Sequence, residues 1–190
     1  SLLCRSYALL LDELPVSGNI LIPMSVDLRG RAGIARDAVF FNQWSLQPLL
    51  IPRELCANPE AVFAELKGQI FENMSEQLPQ AFRAASRLGR IAPFPFLMSL
   101  VNKTKRTGCG TFMYSFLSES SLKSSEFCGH RILNLYHIPS MPPVTGAGVF
   151  MNSFGGALNV TLSYREDSLT PNAVRRFISS FVSALPKEAQ

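Results

Sequence analysis

The alternation of apolar and polar side chains is sharpest in residues 148–164, GVFMNSFGGALNVTLSY. In the second half of this stretch every other residue is apolar, which predicts a strand with one buried face. The apolar positions are Leu158, Val160, Leu162 and Tyr164. Gly155 and Gly156 precede this arm, and two adjacent glycines can both adopt the positive φ angles of a two-residue hairpin turn. An isolated hairpin is only marginally stable, so we expect the other elements to cover its apolar face.

Four other segments have strand-like patterns, residues 20–28, 38–51, 111–117 and 131–138. Pro23 cannot donate a hydrogen bond to a sheet ladder, which predicts an edge position or a bulge for the first of them. Polar or glycine-bearing stretches predict loops at residues 29–37, 102–110 and 118–125.

Apolar residues at helical spacing predict helices at residues 2–14, from Asn58 to a kink or break at Pro79, at 81–88, and from Thr170 to Pro186. Asn58 and Thr170 each precede a proline, the arrangement of an N-cap residue followed by proline at the first helical position. The mixed order of strands and helices predicts an α/β chain, an α+β two-layer sandwich in which helices pack on a mixed β-sheet. We expect a single domain over residues 1–190.

The composition and net charge of the chain limit the classes of function that it can have. The chain is 47 % hydrophobic, enough for a sizeable core, and its net charge of +4 is too small to indicate nucleic-acid binding by itself. The longest apolar run, residues 91–101, is shorter than a bilayer span and contains two prolines, so no transmembrane segment is expected. No signal peptide is expected either, and the helix-like start without Met favours a fragment.

The four cysteines are scattered without a CxxC pair. This spacing favours buried thiols of a reducing, cytoplasmic compartment over a disulfide framework or a metal site. The cysteines are Cys4, Cys56, Cys109 and Cys128.

Few residues suggest catalytic chemistry. His130 and His137 have no nucleophile or acid at a diagnostic spacing, so either would act as a base only if the fold assembled a triad around it. Arg29 follows a predicted strand in VDLR, where a guanidinium often holds a carboxylate; Asp27 or another surface group is the alternative partner.

Two basic clusters also stand out. One is Arg83, Arg87 and Arg90 on one helix face, and the other is Lys103, Lys105 and Arg106 beside a glycine-bearing loop. The first is either a solvated face or an anion site, and the second either a solvated loop or a site for a phosphate-bearing cofactor.

The order of these segments resembles the C-terminal half of the condensation-domain and chloramphenicol-acetyltransferase-like acyltransferases, a superfamily that includes wax ester synthases and polyketide-associated acyltransferases. The resemblance spans nearly the whole chain. The resemblance rests on these segments: IPMSVDLRGR (residues 22–31), FFNQW (40–44), the helix from Asn58, FMYSFLSES (112–120), and PPVTGAGVFMNSFGGALNVTLSY (142–164) with the closing helix.

The resemblance implies the C-terminal lobe of a two-lobed protein whose tunnel lies between the lobes. In the family the HHxxxDG motif of the N-terminal lobe supplies the catalytic histidine, and this sequence contains no such motif. The implied partners are therefore the missing N-terminal lobe and an acyl thioester of coenzyme A or a carrier protein, which is a substrate and not a bound cofactor.

The resemblance also suggests roles for individual residues. Arg29 would pair with the motif aspartate of the other lobe, and Asn42 would lie near the lobe junction. Ser115 or Ser118 would face the tunnel and stabilise an oxyanion. The sequence departs from the motifs of individual branches. The Asn of the Ser-Asn pair of wax-synthase-like members is Phe116 here, and Asn-Ser-Phe-Gly-Gly at residues 152–156 stands where the plant and antibiotic-modifying branches have Asp-Phe-Gly-Trp-Gly, which argues against those branches.

Two functions follow from these expectations. The first is one lobe of an acyltransferase that moves an acyl group from a thioester to an alcohol or amine. The second is a non-catalytic interaction module of the same fold. On either interpretation this chain alone is expected to be inactive: the acyltransferase lobe would need the histidine of the other lobe, and the interaction module would have lost the chemistry.

Overall fold

A computed structural model describes residues 10, 19–31, 33–35, 43–106, 112–117, 126–139 and 146–185. Within these residues the main sheet contains five strands, β1 (Ile20–Asp27), β2 (Trp44–Ile51), β3 (Phe112–Leu117), β6 (Ala147–Phe154) and β7 (Ala157–Tyr164). Two short strands, β4 (Glu126–Phe127) and β5 (His130–Arg131), pair separately. The helices are α1 (Pro59–Ser75), α2 (Leu78–Leu88), α3 (Phe94–Arg106) and α4 (Pro171–Ala184), and a 3-10 helix covers Arg53–Ala57.

The main sheet is mixed, with the spatial order β2-β1-β3-β6-β7. Its outer pairs, β1 with β2 and β6 with β7, are antiparallel, whereas β3 runs parallel to both of its neighbours. The predicted α/β class, with helices packed on a mixed sheet, is therefore confirmed.

The hairpin predicted in residues 148–164 is confirmed. Phe154 pairs with Ala157, and Gly155 and Gly156 form the turn with φ angles of 57° and 78°. Positive φ at both turn positions is the requirement of a type I′ turn, which matches the twist of the flanking strands.

One face of the sheet carries the hydrophobic core. Alternate residues of β1, β2, β3 and β6 point to this face and are buried against α1 and α4, and Val160, Leu162 and Tyr164 of β7 pack on them. The buried helix residues in this cluster are Val62 and Leu66 of α1 and Ala173, Phe177 and Phe181 of α4. Covering one face in this way explains the period-two pattern of the strands.

Both predicted N-caps are confirmed. The Asn58 side chain accepts hydrogen bonds from the backbone N–H groups of Glu60 and Ala61 at 3.1 and 3.2 Å. Thr170 accepts one from Ala173 at 3.2 Å. A helix break is found close to Pro79 but two residues earlier: α1 ends before Gln77, which has a φ of 56°, and α2 begins at the next residue, with Pro79 in its first turn.

The edge position or bulge predicted for Pro23 is wrong, because β1 lies between β2 and β3 and pairs with β2 along its whole length. Pro23 is opposite Pro48, whose carbonyl accepts from the Asn73 side chain of α1 and so faces away from β1. The two prolines therefore form a non-hydrogen-bonded pair. The missing donor of Pro23 faces β3, where the pairing is confined to Met24 and Tyr114.

Two loop and strand boundaries also differ from the predictions. Residues 102–106 belong to α3 instead of a loop, because no glycine or proline interrupts the helix before Gly108 and basic residues favour a helix C-terminus. The predicted strand at 131–138 is reduced to Arg131, and residues 132–139 are irregular. Of the predicted helix 2–14 the structure describes only Leu10, and the loop 118–125 and Pro186 lie outside the described residues.

Candidate functional site

The carboxyl ends of β1, β3 and β6 meet at one edge of the sheet, because these three strands are parallel to one another. This edge, called the carboxyl edge below, carries Arg29 just after β1, Ser115 near the end of β3, and Asn152 near the end of β6. Ligand sites in open α/β sheets commonly lie at such an edge. It is therefore the candidate functional site.

Arg29 is held by Asp27, the last residue of β1. Its Nε lies 2.8 Å from Asp27 Oδ2 and its Nη2 lies 2.7 Å from the same oxygen, and the backbone N–H of Arg29 donates to Oδ1 at 2.9 Å. The side-chain hydrogen bond from Arg29 lowers the pKa of Asp27 and raises the pKa of Arg29. The sequence left open whether Arg29 binds Asp27 or a carboxylate elsewhere. Within the described residues, its partner is Asp27.

The side of the sheet opposite the core, called the second face, bears Ser115, Phe150, Asn152 and Asn159. Ser115 is buried and pairs in register with Phe150, so both side chains lie on this face. The imidazole of His137 meets the ring of Phe150 edge-on, with centroids 6.1 Å apart and planes at 81°. The structure therefore brings Ser115 and His137 to the same ring, although no hydrogen bond joins these two described residues.

An asparagine pair, Asn152 and Asn159, holds the irregular segment 132–139 on this face. Asn152 Nδ2 donates to the Leu135 carbonyl at 2.7 Å, and its Oδ1 accepts from the His137 backbone N–H at 3.2 Å. Asn159 donates to the same carbonyl at 3.1 Å and exchanges hydrogen bonds with Asn134. This arrangement explains why 132–139 is not a strand: side chains, not a neighbouring strand, satisfy its backbone groups.

The asparagine pair was not among the candidates predicted from the sequence. A signal was present, because the two residues are equally far from the Gly155-Gly156 turn and a two-residue hairpin places such positions opposite each other.

The other candidate residues from the sequence are not placed at the carboxyl edge by the described part of the structure. His130 is exposed in β5, where it pairs with Phe127. Asn42 and Ser118 lie outside the described residues. Arg83 donates to the Gln43 side chain at 2.7 Å, while Arg87 and Arg90 are exposed.

Cysteine burial is only partly as expected. Cys56 is half-buried, but Cys128 is exposed, so its predicted burial is wrong; it lies in the two-residue turn between β4 and β5. Cys4 and Cys109 are outside the described residues. Where the structure describes side chains, no group of three His, Cys, Asp or Glu residues is placed to bind a metal ion.

None of the helices in the described part of the chain has the length and hydrophobicity needed to cross a bilayer. No protein-family model matches the sequence, and no curated protein matches it.

The fold does have solved neighbours. A trichothecene 15-O-acetyltransferase from Fusarium sporotrichioides superposes with a TM-score of 0.59 at 17 % identity, over 95 % of this chain and 39 % of the neighbour. The epimerization domain from the third module of tyrocidine synthetase B superposes with a TM-score of 0.52 at 11 % identity, over 96 % and 39 %. The chain thus spans less than half the length of either neighbour. In fold, it matches the acyltransferase and condensation-type proteins that its sequence resembles.

Proposed function

We propose that this chain is one lobe of an acyltransferase that moves an acyl group from a thioester of coenzyme A or a carrier protein to an alcohol or amine. The observation that carries the proposal is the superposition of 95 % of the chain on 39 % of an acetyltransferase. The remaining length of that neighbour leaves room for a second lobe of similar size. In this proposal the second lobe supplies the HHxxxDG histidine as general base.

Arg29 is the residue through which this lobe would position the reacting centre. Its Nε and Nη2 bind Asp27, and Nη1 has no hydrogen bond to the described residues. A guanidinium has five N–H donors, so Arg29 can bind a second carboxylate without releasing Asp27. The motif aspartate of the second lobe is the carboxylate that this proposal assigns to it.

Ser115 and its neighbours would form part of the tunnel wall. The serine is buried on the second face close to the carboxyl edge, and Phe150 with segment 132–139 lies beside it. A hydroxyl in such a water-poor place is suited to stabilise a developing oxyanion. Ser118 has the same proposed role, and Asn42 would lie at the lobe junction.

A non-catalytic interaction module is the second candidate. It is favoured by the Arg29–Asp27 pair, which gives Arg29 a partner within the lobe and thus a role that needs no chemistry. In this case the fold would be kept for binding, and its parent protein would transfer no acyl group.

The test is acyl transfer by the full-length protein that contains this chain. It is incubated with acyl-coenzyme A of several chain lengths, or with an acyl carrier thioester, together with alcohol and amine acceptors. Loss of thioester and formation of ester or amide are followed by mass spectrometry. The acyltransferase proposal requires acceptor-dependent transfer, whereas no transfer with any donor would favour the interaction module.

Substitution of Arg29 adds a second measurement. Arg29→Ala is expected to lower the transfer rate at least about tenfold, since a charge-assisted hydrogen bond that positions a reacting group contributes roughly 1.5–3 kcal/mol. The matched control is Arg175→Ala, which removes an exposed arginine from α4. Equal rates for the two variants would contradict the positioning role of Arg29.

A further inference from the structure

The positive charge of the chain is concentrated in one region. Residues 77–118 contain six basic residues and no Asp or Glu, whereas 12 basic and 14 acidic residues lie in the rest of the chain. The whole positive excess therefore comes from α2, α3 and their connections. The basic residues are Arg83, Arg87, Arg90, Lys103, Lys105 and Arg106.

The region where α2 ends and α3 begins exposes large apolar side chains close in sequence to these charges. Leu88 is 64 % exposed, Ile91 81 %, Phe94 73 % and Phe96 57 %, and together they are called the apolar tip. Four exposed apolar side chains of this size within nine residues make this region a candidate interaction site.

The backbone of the apolar tip is hydrogen-bonded, so the tip has a defined shape. The N–H groups of Ile91 and Ala92 donate to the Leu88 carbonyl at 3.1 and 3.0 Å, and that of Phe96 donates to the Pro93 carbonyl at 3.0 Å. In α3 every described side chain except that of Leu97 is exposed.

The basic side chains around the tip are available for an external anion. Arg87, Arg90 and Lys103 are exposed, and none of them forms an ion pair with the described residues. Lys103 also lines an open groove along α3 with Pro95, Met98, Ser99 and Asn102. Exposed cationic side chains thus lie on α2, in the connection and on α3, the same elements that carry the apolar tip.

We propose that the apolar tip is a docking site for an anionic lipid surface. The side chains of Ile91, Phe94 and their neighbours enter the headgroup layer, while Arg87, Arg90 and Lys103 bind lipid phosphates or carboxylates. At about 1.5 Å per residue the 13 residues of α3 extend roughly 20 Å, less than the roughly 30 Å hydrocarbon core. The contact is therefore at the membrane surface and does not span the bilayer.

A lipid surface fits these observations better than an acidic protein does. The apolar side chains are spread over the end of α2, the connection and the start of α3, and a protein partner would need a matching pocket for each of them, whereas a fluid bilayer adapts to their shape. The absence of acidic residues throughout 77–118 also suits a uniformly negative surface. This inference does not depend on the proposed acyltransferase activity.

The experiment is sedimentation of the full-length protein with vesicles. Vesicles of phosphatidylcholine alone are compared with vesicles in which about a third of the lipid is phosphatidylserine, at low and high salt. We expect binding to the phosphatidylserine vesicles that weakens in high salt, and little binding to phosphatidylcholine alone.

Two double variants test the two parts of the site. Ile91→Ser with Phe94→Ser is expected to weaken binding at least about tenfold through the loss of apolar burial. Arg87→Gln with Arg90→Gln is expected to weaken it about 25-fold, roughly fivefold for each charge.

Matched controls exist elsewhere on the surface. Leu133 is 84 % exposed and Phe127 is 73 % exposed, so Leu133→Ser with Phe127→Ser removes apolar surface like that of the tip. Lys67→Gln with Arg175→Gln removes two exposed charges on α1 and α4. Circular dichroism of every variant verifies that it is folded.

Several outcomes would overturn the proposal. One is no binding of the full-length protein to either vesicle, as expected if a second lobe covers the tip. Another is equal weakening by the tip variants and their controls. Binding of an acidic protein that the tip variants abolish, without vesicle binding, would assign the same surface to a protein partner instead.

Discussion

Asn152 and Asn159 face each other in register across the β6–β7 hairpin, and both donate a hydrogen bond to the carbonyl of Leu135, at 2.7 and 3.1 Å. Through this shared acceptor the hairpin fixes the irregular segment 132–139 on the second face of the sheet. His137 is positioned by the same contact, since its backbone N–H donates to Asn152.

The two asparagines are expected to differ in importance. Asn152 is buried and uses both ends of its amide, so Asn152→Ala should cost about 2 kcal/mol. It leaves the His137 backbone N–H without its acceptor and removes the shorter of the two hydrogen bonds to the Leu135 carbonyl, which keeps only the one from Asn159. Asn159→Ala should cost about 1 kcal/mol, because the half-buried site is open to water. Urea denaturation measures both values.

Hydrogen exchange provides an independent readout of the same contact. The His137 amide should exchange faster in Asn152→Ala than in Asn159→Ala. An unchanged exchange rate at His137 in both variants would contradict the role assigned to Asn152.

Gln47 is expected to be a destabilising residue. It is fully buried in β2 opposite Met24, and neither its Nε2 nor its Oε1 has a hydrogen-bond partner in the part of the chain that the structure describes. Gln47→Leu should therefore raise the free energy of unfolding by about 1–3 kcal/mol, since it removes an unpaired buried amide.

Gln69→Leu is the matched control and should change the free energy of unfolding in the opposite direction. Gln69 of α1 accepts from the Leu50 N–H at 2.8 Å and donates to the Leu50 carbonyl at 2.6 Å, so it covers the free edge of β2. Its loss should lower stability by about 1–2 kcal/mol. If Gln47→Leu were equally destabilising, the Gln47 amide would have to be paired in solution.

The Arg29–Asp27 pair predicts a small dependence of stability on pH. The pKa of Asp27 is lowered in the folded chain, chiefly by the side-chain hydrogen bond from Arg29, so this stabilisation is present above the usual carboxyl pKa of 3.8 and is lost as the pH falls through the lowered value. The side chains are 42 % and 53 % exposed, which limits the effect to below about 1 kcal/mol.

Arg29→Gln tests this linkage. NMR titration should show the pKa of Asp27 rising in the variant. The difference in unfolding free energy between the wild type and the variant should be present near neutral pH and vanish well below pH 3.8. A difference that persisted in acid would mean that Arg29 stabilises the chain through packing and not through Asp27.

Two glycines with equally open surroundings are expected to respond oppositely to alanine. A Cβ would meet no atom within 4 Å at either Gly156 or Gly68. Gly156 has a φ of 78°, so Gly156→Ala should cost about 1–2 kcal/mol. Gly68 lies within α1, so Gly68→Ala should stabilise by about 0.5–1 kcal/mol. Thermal unfolding of the two variants measures both effects: the melting temperature should fall for Gly156→Ala and rise for Gly68→Ala. A shift of both melting temperatures in the same direction would contradict the explanation from backbone φ angles.

The sequence by itself determined the elements whose signals are local. The alternation in β7, the glycine pair of its turn and the N-caps at Asn58 and Thr170 act over a few neighbouring residues, and the structure confirms each of them. The position of Arg29 at a strand end could be predicted in the same way. The overall order of elements was sufficient to indicate the fold.

The tertiary structure alone decided which strands are neighbours. It also decided that asparagine side chains, and not a neighbouring strand, bind the backbone of residues 132–139. Pro23 has the sequence signature of an edge strand, but the place of β1 inside the sheet depends on β3, about 90 residues away along the chain. Residues 132–139 look like a strand, but asparagines 17 and 24 residues from Leu135 bind its carbonyl. Hydrogen bonds between segments so distant in sequence leave no local period, because they form only when the strands have been brought together.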